Sequence, residues 1–124
     1  MTNPADTHDE TAIQARLVGT LAHWSLVDGR LWRQYTTGSW RVTLMIVNAI
    51  GHLAEAAWHH PELEVSYGSV IVRLHTHDAG GITDKDFELA RELEHTILWR
   101  PAAGAALTGL PANQPHLRYV DPDT

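Results

Sequence analysis

The sequence predicts an α+β fold with two layers, an antiparallel four-stranded sheet with helices packed on one face, in the order α-β-β-α-β-β-α. Two pairs of strand-like runs predict the sheet, because each pair is joined by a glycine-containing dipeptide typical of a two-residue hairpin turn. Stretches in which apolar residues recur at helical spacing, before, between and after these hairpins, predict the helices. Hairpins pair their strands antiparallel, and helices with one apolar stripe pack against one face of such a sheet.

The first helix and the first hairpin follow a short polar segment. Residues 1–10 are expected to form a flexible tail. The next stretch, ETAIQARLVG, predicts a short helix with three apolar residues on one side, Ile13, Leu17 and Val18. In HWSLVDGRLWRQY, two strand-like runs flank Asp28-Gly29, which predicts a hairpin closed by these two residues.

The central helix is predicted from TTGSWRVTLMIVNAIGHLAEAAW. Ser39 is the expected N-cap. The apolar residues that recur at helical spacing are Val42, Met45, Ile46, Ile50, Leu53 and Ala57. The helix must end before Pro61, because a proline pushes the residue ahead of it out of the α region. His59 and His60 therefore lie where the helix ends and the chain turns.

The second hairpin is predicted from LEVSYGSVIVRLHTH, with Gly68-Ser69 as its turn. Alternation along its second strand defines two faces. One face carries Val70, Val72, Leu74 and Thr76, and the other carries Ile71, Arg73, His75 and His77.

The last helix is predicted to begin at Thr83, which forms a capping-box pattern with Asp86 three residues later. Its buried stripe is expected to contain Phe87, Ala90, Leu93 and Ile97. Residues 11–97 are therefore expected to form one domain. Residues 98–124 hold four of the six prolines and show no sustained periodicity. They are expected to form an irregular extension that packs onto the domain, or onto a neighbour, through Trp99 and Tyr119.

Composition excludes several classes of function. The chain of 124 residues carries a net charge of −6, which argues against a nucleic-acid backbone as the direct partner. Its lack of cysteine excludes disulfides, thiolate catalysis and a cysteine-based zinc site. No apolar run is long enough to cross a membrane, and the polar, acidic N-terminus is unlike a signal peptide. A cytoplasmic location is therefore expected.

Four histidines are candidates for a functional site: His59 and His60 at the helix exit, and His75 and His77 near the end of the last strand. A metal site is disfavoured, because the adjacent pair cannot easily ligate one ion together with His77 and no carboxylate stands at a recognisable ligand spacing. Nucleophilic catalysis is disfavoured because no serine stands in a G-x-S-x-G pattern.

Acid–base catalysis suits these residues, because imidazoles exchange protons near neutral pH without a metal or a nucleophile. Glu55, one helical turn before His59, is the expected carboxylate beside them. A structural alternative stays open at this point, in which His59 caps the last helical carbonyls and His77 ends a strand at the surface.

The stretch EAAWHHPELEVSYGSVIVRLHTHDAGGITDKD resembles the signature of the pterin-4a-carbinolamine dehydratase family. In that family an acid stands four residues before His-His-Pro, and a hairpin with a tyrosine follows. The signature ends in T-H-x-x-x-G-[hydrophobic]-[ST]-x-x-D, which corresponds here to Thr76, His77, Gly81, Ile82, Thr83 and Asp86. The resemblance covers about residues 13–97.

This resemblance implies a hydro-lyase that converts 4a-hydroxytetrahydropterin to quinonoid dihydropterin and so recycles the cofactor of aromatic amino-acid hydroxylases. It implies a small-molecule pterin as the binding partner, no cofactor or metal, and assembly as a homodimer or homotetramer. The family's three active-site histidines correspond to His59, His60 and His77, and its supporting acid corresponds to Glu55. One of His59 and His77 is expected to protonate the 4a-hydroxyl, with His60 as a base or a ring anchor.

The resemblance also predicts substrate contacts from His75, Thr76, Trp58 and Pro61. The strand end at His75 and Thr76 is expected to offer backbone groups to the amide edge of the pterin, although His75 itself falls outside the family motif. Trp58 departs from the family, because an acid often stands there. The extension is a second departure, and two roles are open for it, covering the cleft or altering assembly. A non-catalytic binding or assembly protein on the same scaffold is the alternative function.

Overall fold

The computed structural model describes residue 3, residues 5–114 and residues 118–121. This part of the chain confirms the predicted fold class and element order. The elements are α1 (Glu10–Arg16), β1 (Ser25–Val27), β2 (Arg30–Thr36), α2 (Trp40–Ala57), β3 (Glu62–Ser66), β4 (Ser69–Leu74) and α3 (Asp84–Ile97). Short 3₁₀ turns stand at Gly19–Leu21 and His77–Ala79.

The two hairpins join into one antiparallel sheet with the strand order β1-β2-β4-β3. The central pair is β2 and β4, which run from Leu31 opposite Leu74 to Thr36 opposite Ser69. Ser69 also pairs with Ser66, so the second turn is Tyr67-Gly68 and the predicted Gly68-Ser69 turn is wrong by one residue. This register keeps Val70, Val72 and Leu74 of β4 on the buried face of the sheet, and burial of one face is what fixes a strand register.

One face of the sheet and the inner stripes of α2 and α3 form the core. The predicted stripe of α3 is fully buried. The stripe of α2 is partly wrong: Met45 is 44% exposed and Ala57 is also exposed, whereas Thr43 and Ala54 are buried. Thr43 can be buried because its hydroxyl donates to the Tyr67 carbonyl over 2.8 Å, which satisfies the polar atom.

A buried polar cluster joins the sheet to α3. The Glu94 carboxylate is 4% exposed and accepts hydrogen bonds from the Trp24 indole N–H at 2.8 Å and from the Tyr35 hydroxyl at 2.9 Å. It also forms an ion pair with the Arg33 guanidinium, which is 1% exposed and stacks over the Tyr35 ring. Burial raises the pKa of the Tyr35 hydroxyl far above its ordinary value, and the neighbouring Glu94 charge raises it further. Tyr35 therefore stays protonated and acts as a donor.

Within the segment expected to be a tail, His8 makes defined contacts. Its N–H donates to the Ile82 carbonyl over 2.8 Å, and its Nε2 lies 2.8 Å from the Asp84 carboxylate. Arg16 donates to the same carboxylate oxygen over 2.9 Å. The hydrogen bond from His8, assisted by Arg16, lowers the pKa of the Asp84 carboxyl below its ordinary value. The start of α3 is thus tied to the N-terminal segment, while the division into domains stays a prediction.

The C-terminal extension is attached to the end of β2. Val120 is fully buried and forms a bridge with Thr37, and the Asp121 N–H donates to the Thr36 carbonyl over 3.0 Å. Tyr119 packs against the core, but Trp99 is 59% exposed and does not press onto the domain as expected. Because the end of β2 pairs with the start of β4, the bridge at Thr37 lies at the end of the sheet opposite to the histidines. The described residues of the extension do not line the histidine cleft.

Candidate active site at the exit of α2

The end of α2 is shaped by Trp58. This residue adopts the left-handed conformation, with φ 52° and ψ 47°, and its N–H donates back to the carbonyls of the last helical turn. The His59 N–H also donates to the Ala54 carbonyl, over 3.1 Å. A left-handed residue after the last helical residue is a common way to end a helix, although glycine usually occupies the position. The turn directs the two adjacent histidines to different neighbours.

His59 points inward and contacts α3. Its Nε2 lies 2.7 Å from the Asp86 carboxylate, and its side chain is only 13% exposed. Asp86 itself is fully buried. A carboxylate only accepts hydrogen bonds, so we assign the ring proton to Nε2, which leaves Nδ1 as the free acceptor of the ring.

The second carboxylate oxygen of Asp86 accepts further hydrogen bonds that fix its position. That oxygen accepts from the Thr83 N–H at 2.9 Å, which completes the predicted capping box, and from the Thr76 hydroxyl at 2.8 Å. The Thr76 and Thr83 hydroxyls also bond each other at 2.7 Å. The carboxylate therefore serves both as the helix cap and as the partner of His59, and its position is fixed from three directions.

His60 lies nearer the surface and has a different acid partner. Its Nε2 is 2.7 Å from the Glu55 carboxylate, and both side chains are more than half exposed. The Trp58 ring meets the His60 ring edge to face at 5.0 Å between centroids. Glu55 was expected to lie beside the histidines, and it contacts His60 rather than His59, because the sharp turn at Trp58 moves His59 away from the outer face of α2.

His77 and His75 form the other side of the site. The strand was expected to include both residues, but β4 ends at Leu74 and His77 begins a 3₁₀ turn. The two rings lie 6.2 Å apart between centroids, and His75 is 4.0 Å from the Glu62 carboxylate. His77 is exposed, and no hydrogen bond or ion pair joins its imidazole to another residue of the described chain.

These side chains surround one shallow cavity of about 250 Å³. Larger cavities are present, and the one of about 870 Å³ shares Trp58, His59 and Lys85 with this site, but this one brings together all four candidate histidines. Its volume is close to the lower end of the range for small-molecule sites, which fits a compact flat ring. The lining residues are Trp58, His59, His60, His75, Thr76, His77, Asp78 and Lys85.

Two predicted substrate contacts are placed differently from expectation. The Thr76 N–H donates to the Gly81 carbonyl over 2.8 Å, and its carbonyl accepts from the Ala79 and Gly80 N–H groups. The backbone groups of Thr76 are thus engaged in the loop, although Thr76 itself lines the cavity beside His75. Pro61 is half-buried and is not among the residues that line the cavity.

Sequence reasoning missed three residues of the site. Asp86 had two signals, the capping box and the family signature, but neither indicated its contact with His59, which spans 27 positions. Asp78 and Lys85 line the cavity without any local pattern that marks them. Within the described ranges, no group of three or more histidine, aspartate or glutamate side chains is arranged to hold a metal ion.

Comparison with known proteins identifies the family. The family model described as pterin 4 alpha carbinolamine dehydratase matches residues 6–96. The chain belongs to this family. An Aquifex aeolicus protein named "Putative pterin-4-alpha-carbinolamine dehydratase" is 43% identical to it over 82 residues. The aligned part covers 66% of this chain and 83% of the relative. A Streptomyces coelicolor protein of the same name is 40% identical over 92 residues, 73% of this chain and 90% of the relative.

A solved structure supports the fold. It is a transcriptional coactivator/pterin dehydratase from Brucella melitensis, with a TM-score of 0.65 and 29% identity over 71% of this chain and 95% of that one. The family match ends near the end of α3, so most of the extension lies outside it. None of the helices in the described part of this dehydratase-family chain is long and apolar enough to span a membrane.

Proposed function

We propose that this chain catalyses the dehydration of 4a-hydroxytetrahydropterin to quinonoid dihydropterin. The observation that carries the proposal is the convergence of His59, His60 and His77 on one cavity in a member of the dehydratase family. The reaction needs one group that gives a proton to the leaving hydroxyl and one that takes the proton from N5, and imidazoles perform both at neutral pH.

The different partners of the histidines suggest their roles. His59 is backed by the buried Asp86 carboxylate, which stabilises the ring when it gains a proton, so we assign it as the base that takes the N5 proton through Nδ1. His77 has no acid partner among the described residues and is open to solvent, which can resupply its proton. We assign His77 as the acid toward the 4a-hydroxyl.

In this scheme His77 donates a proton as the C4a–O bond breaks and water leaves. The N5 proton passes to His59, and its bonding electrons form the C4a–N5 double bond. Exchange with solvent then returns both histidines to their starting states. His60, held by Glu55 and flanked by Trp58, is proposed to anchor the pterin ring at the rim of the cavity.

A stopped-flow assay with chemically generated 4a-hydroxytetrahydropterin tests the proposal. The protein is expected to accelerate dehydration over the buffer rate. His59→Ala and His77→Ala, which remove the proposed base and the proposed acid, are each expected to cut the rate by about 100-fold or more, the usual contribution of an acid–base group. His52→Ala, which removes an exposed histidine from α2 outside the cavity, is the matched control and should keep full activity.

The assay separates the competing explanations. No acceleration by the wild-type protein would reject the enzyme and leave the non-catalytic binding or assembly role. Acceleration that survives both histidine substitutions would keep the enzyme but reject this site. Assembly as a homodimer or homotetramer and a cytoplasmic location are retained as parts of the proposal, and sedimentation velocity and cell fractionation test them.

A further inference from the structure

A second cavity lies at the other end of the helices, far from the histidines. Its volume is about 790 Å³, within the range of small-molecule sites. It is enclosed between the first turns of α2, the end of α3 and the extension. Arg41 and Met45 line it from α2, Thr96 lines it from α3, and the remaining lining residues belong to residues 99–119. Because the family match ends at residue 96, most of this wall lies outside the matched region.

The cavity exposes an unusual amount of apolar surface. Four of its lining side chains are large, apolar and strongly exposed: Met45 at 44%, Trp99 at 59%, Leu107 at 66% and Leu110 at 51%. Single exposed apolar residues need no explanation, but a group of them around one concavity is typical of a binding site. The Trp99 and Tyr119 rings supply flat surfaces against which an aromatic ring can pack.

The charge of the cavity is opposite to that of the whole chain. The chain has a net charge of −6, yet the cavity is lined by Arg41 and Arg100, and no acidic residue of the described part of the chain lines it. Neither guanidinium forms an ion pair with a carboxylate of the described residues. The contacts of Arg41 include the Met45 sulfur at 3.4 Å, and Arg100 donates to the carbonyls of Trp99 and Val120 and lies near the Tyr119 ring. A guanidinium without an acid partner is a preferred site for a carboxylate.

We propose that this cavity binds a small amphipathic anion, an arylalkyl carboxylate whose ring packs against the apolar wall and whose carboxylate meets Arg41 and Arg100. A purely apolar ligand would leave both guanidinium groups without a counter-charge, and an inorganic anion would leave the apolar wall exposed to water. The site is separate from the proposed active site, because it adjoins the opposite ends of α2 and α3.

Isothermal titration calorimetry of the full chain with 4-phenylbutyrate tests the site, and the neutral 4-phenylbutanamide provides a matched ligand. We expect saturable binding of the carboxylate at one site per chain, with a Kd of about 1 mM or tighter. The amide should bind at least about tenfold more weakly, because it loses the charge-assisted contacts. Arg41→Gln should weaken the carboxylate by about tenfold. Arg30→Gln, an exposed arginine on the distant first hairpin, should leave its Kd unchanged.

Several results would overturn the proposal. They are the absence of saturable binding, equal affinity for the two ligands, and an unchanged Kd in a folded Arg41→Gln variant. A dimer in sedimentation velocity that Leu107→Asp dissociates, together with no ligand binding, would instead identify the apolar wall as an interface between copies. His77→Ala should bind 4-phenylbutyrate normally, so failure of the dehydratase proposal and failure of this site are separate outcomes.

Discussion

Replacing Glu94 by glutamine tests the buried cluster that joins the sheet to α3. Glutamine keeps the shape and one acceptor oxygen, so the Trp24 and Tyr35 donors can remain bonded. The negative charge is lost, however, and with it the ion pair between Glu94 and Arg33, whose side chain is only 1% exposed. Removing one partner of a buried ion pair costs about 3–5 kcal/mol. This is a large fraction of the total stability of about 5–15 kcal/mol expected of a domain.

Urea unfolding followed by circular dichroism measures the change. In thermal melts of a chain of this size each 1 kcal/mol corresponds to about 3–5 °C, so the melting temperature should fall by about 9–25 °C. Glu92→Gln, an exposed acid on the same helix, is the matched control and should stay within about 0.5 kcal/mol of wild type. Adding Arg33→Met to Glu94→Gln should restore part of the loss, since the desolvated guanidinium that lost its ion pair with Glu94 is then gone. A loss below about 1 kcal/mol for Glu94→Gln alone would refute this reasoning.

Three further predictions concern stability. Trp58→Gly should raise the free energy of unfolding by about 1 kcal/mol, because glycine adopts the left-handed conformation without steric strain. Trp58→Ala should not raise it, so equal urea midpoints for the two variants would contradict this prediction. The raised pKa of Tyr35 stabilises the folded state below pH 10, and this stabilisation is lost as the pH rises above 10. The difference in unfolding free energy between wild type and Tyr35→Phe should therefore shrink in unfolding curves measured at higher pH. The lowered pKa of the Asp84 carboxyl stabilises the folded state at pH values above its ordinary pKa of 3.8. Asp84→Asn should therefore lower the free energy of unfolding by at most about 1 kcal/mol at neutral pH. This difference from wild type should disappear in thermal melts as the pH falls below 3.8. A pH-independent difference would contradict either titration argument.

Local signals predicted most of the fold. The Asp28-Gly29 turn, the Ser39 cap and the capping box at Thr83 each depend on a few adjacent residues, and each is found where it was expected. The second turn was misplaced because either of two dipeptides containing Gly68 fits the local pattern. Burial of the β4 side chains, which is a tertiary effect, decides between them.

The candidate site was only half predictable. The four histidines could be chosen from sequence, because a helix exit and a strand end brought them near each other. Their partners could not, since the contact of His59 with Asp86 spans 27 positions and depends on how α2 packs against α3. The Arg33 and Glu94 pair spans 61 positions, and an arginine at an inward strand position gives no indication of its partner.

The arrangement of the two cavities at opposite ends of α2 has a practical consequence. The helix has 18 residues and is therefore about 27 Å long, so a group attached near one end lies well away from the other. The chain contains no cysteine, so Ala105→Cys would introduce a single thiol on the exposed part of the extension. Through that thiol the protein could be immobilised on a maleimide surface, or labelled with a single fluorophore, with the histidine cavity left facing the solution.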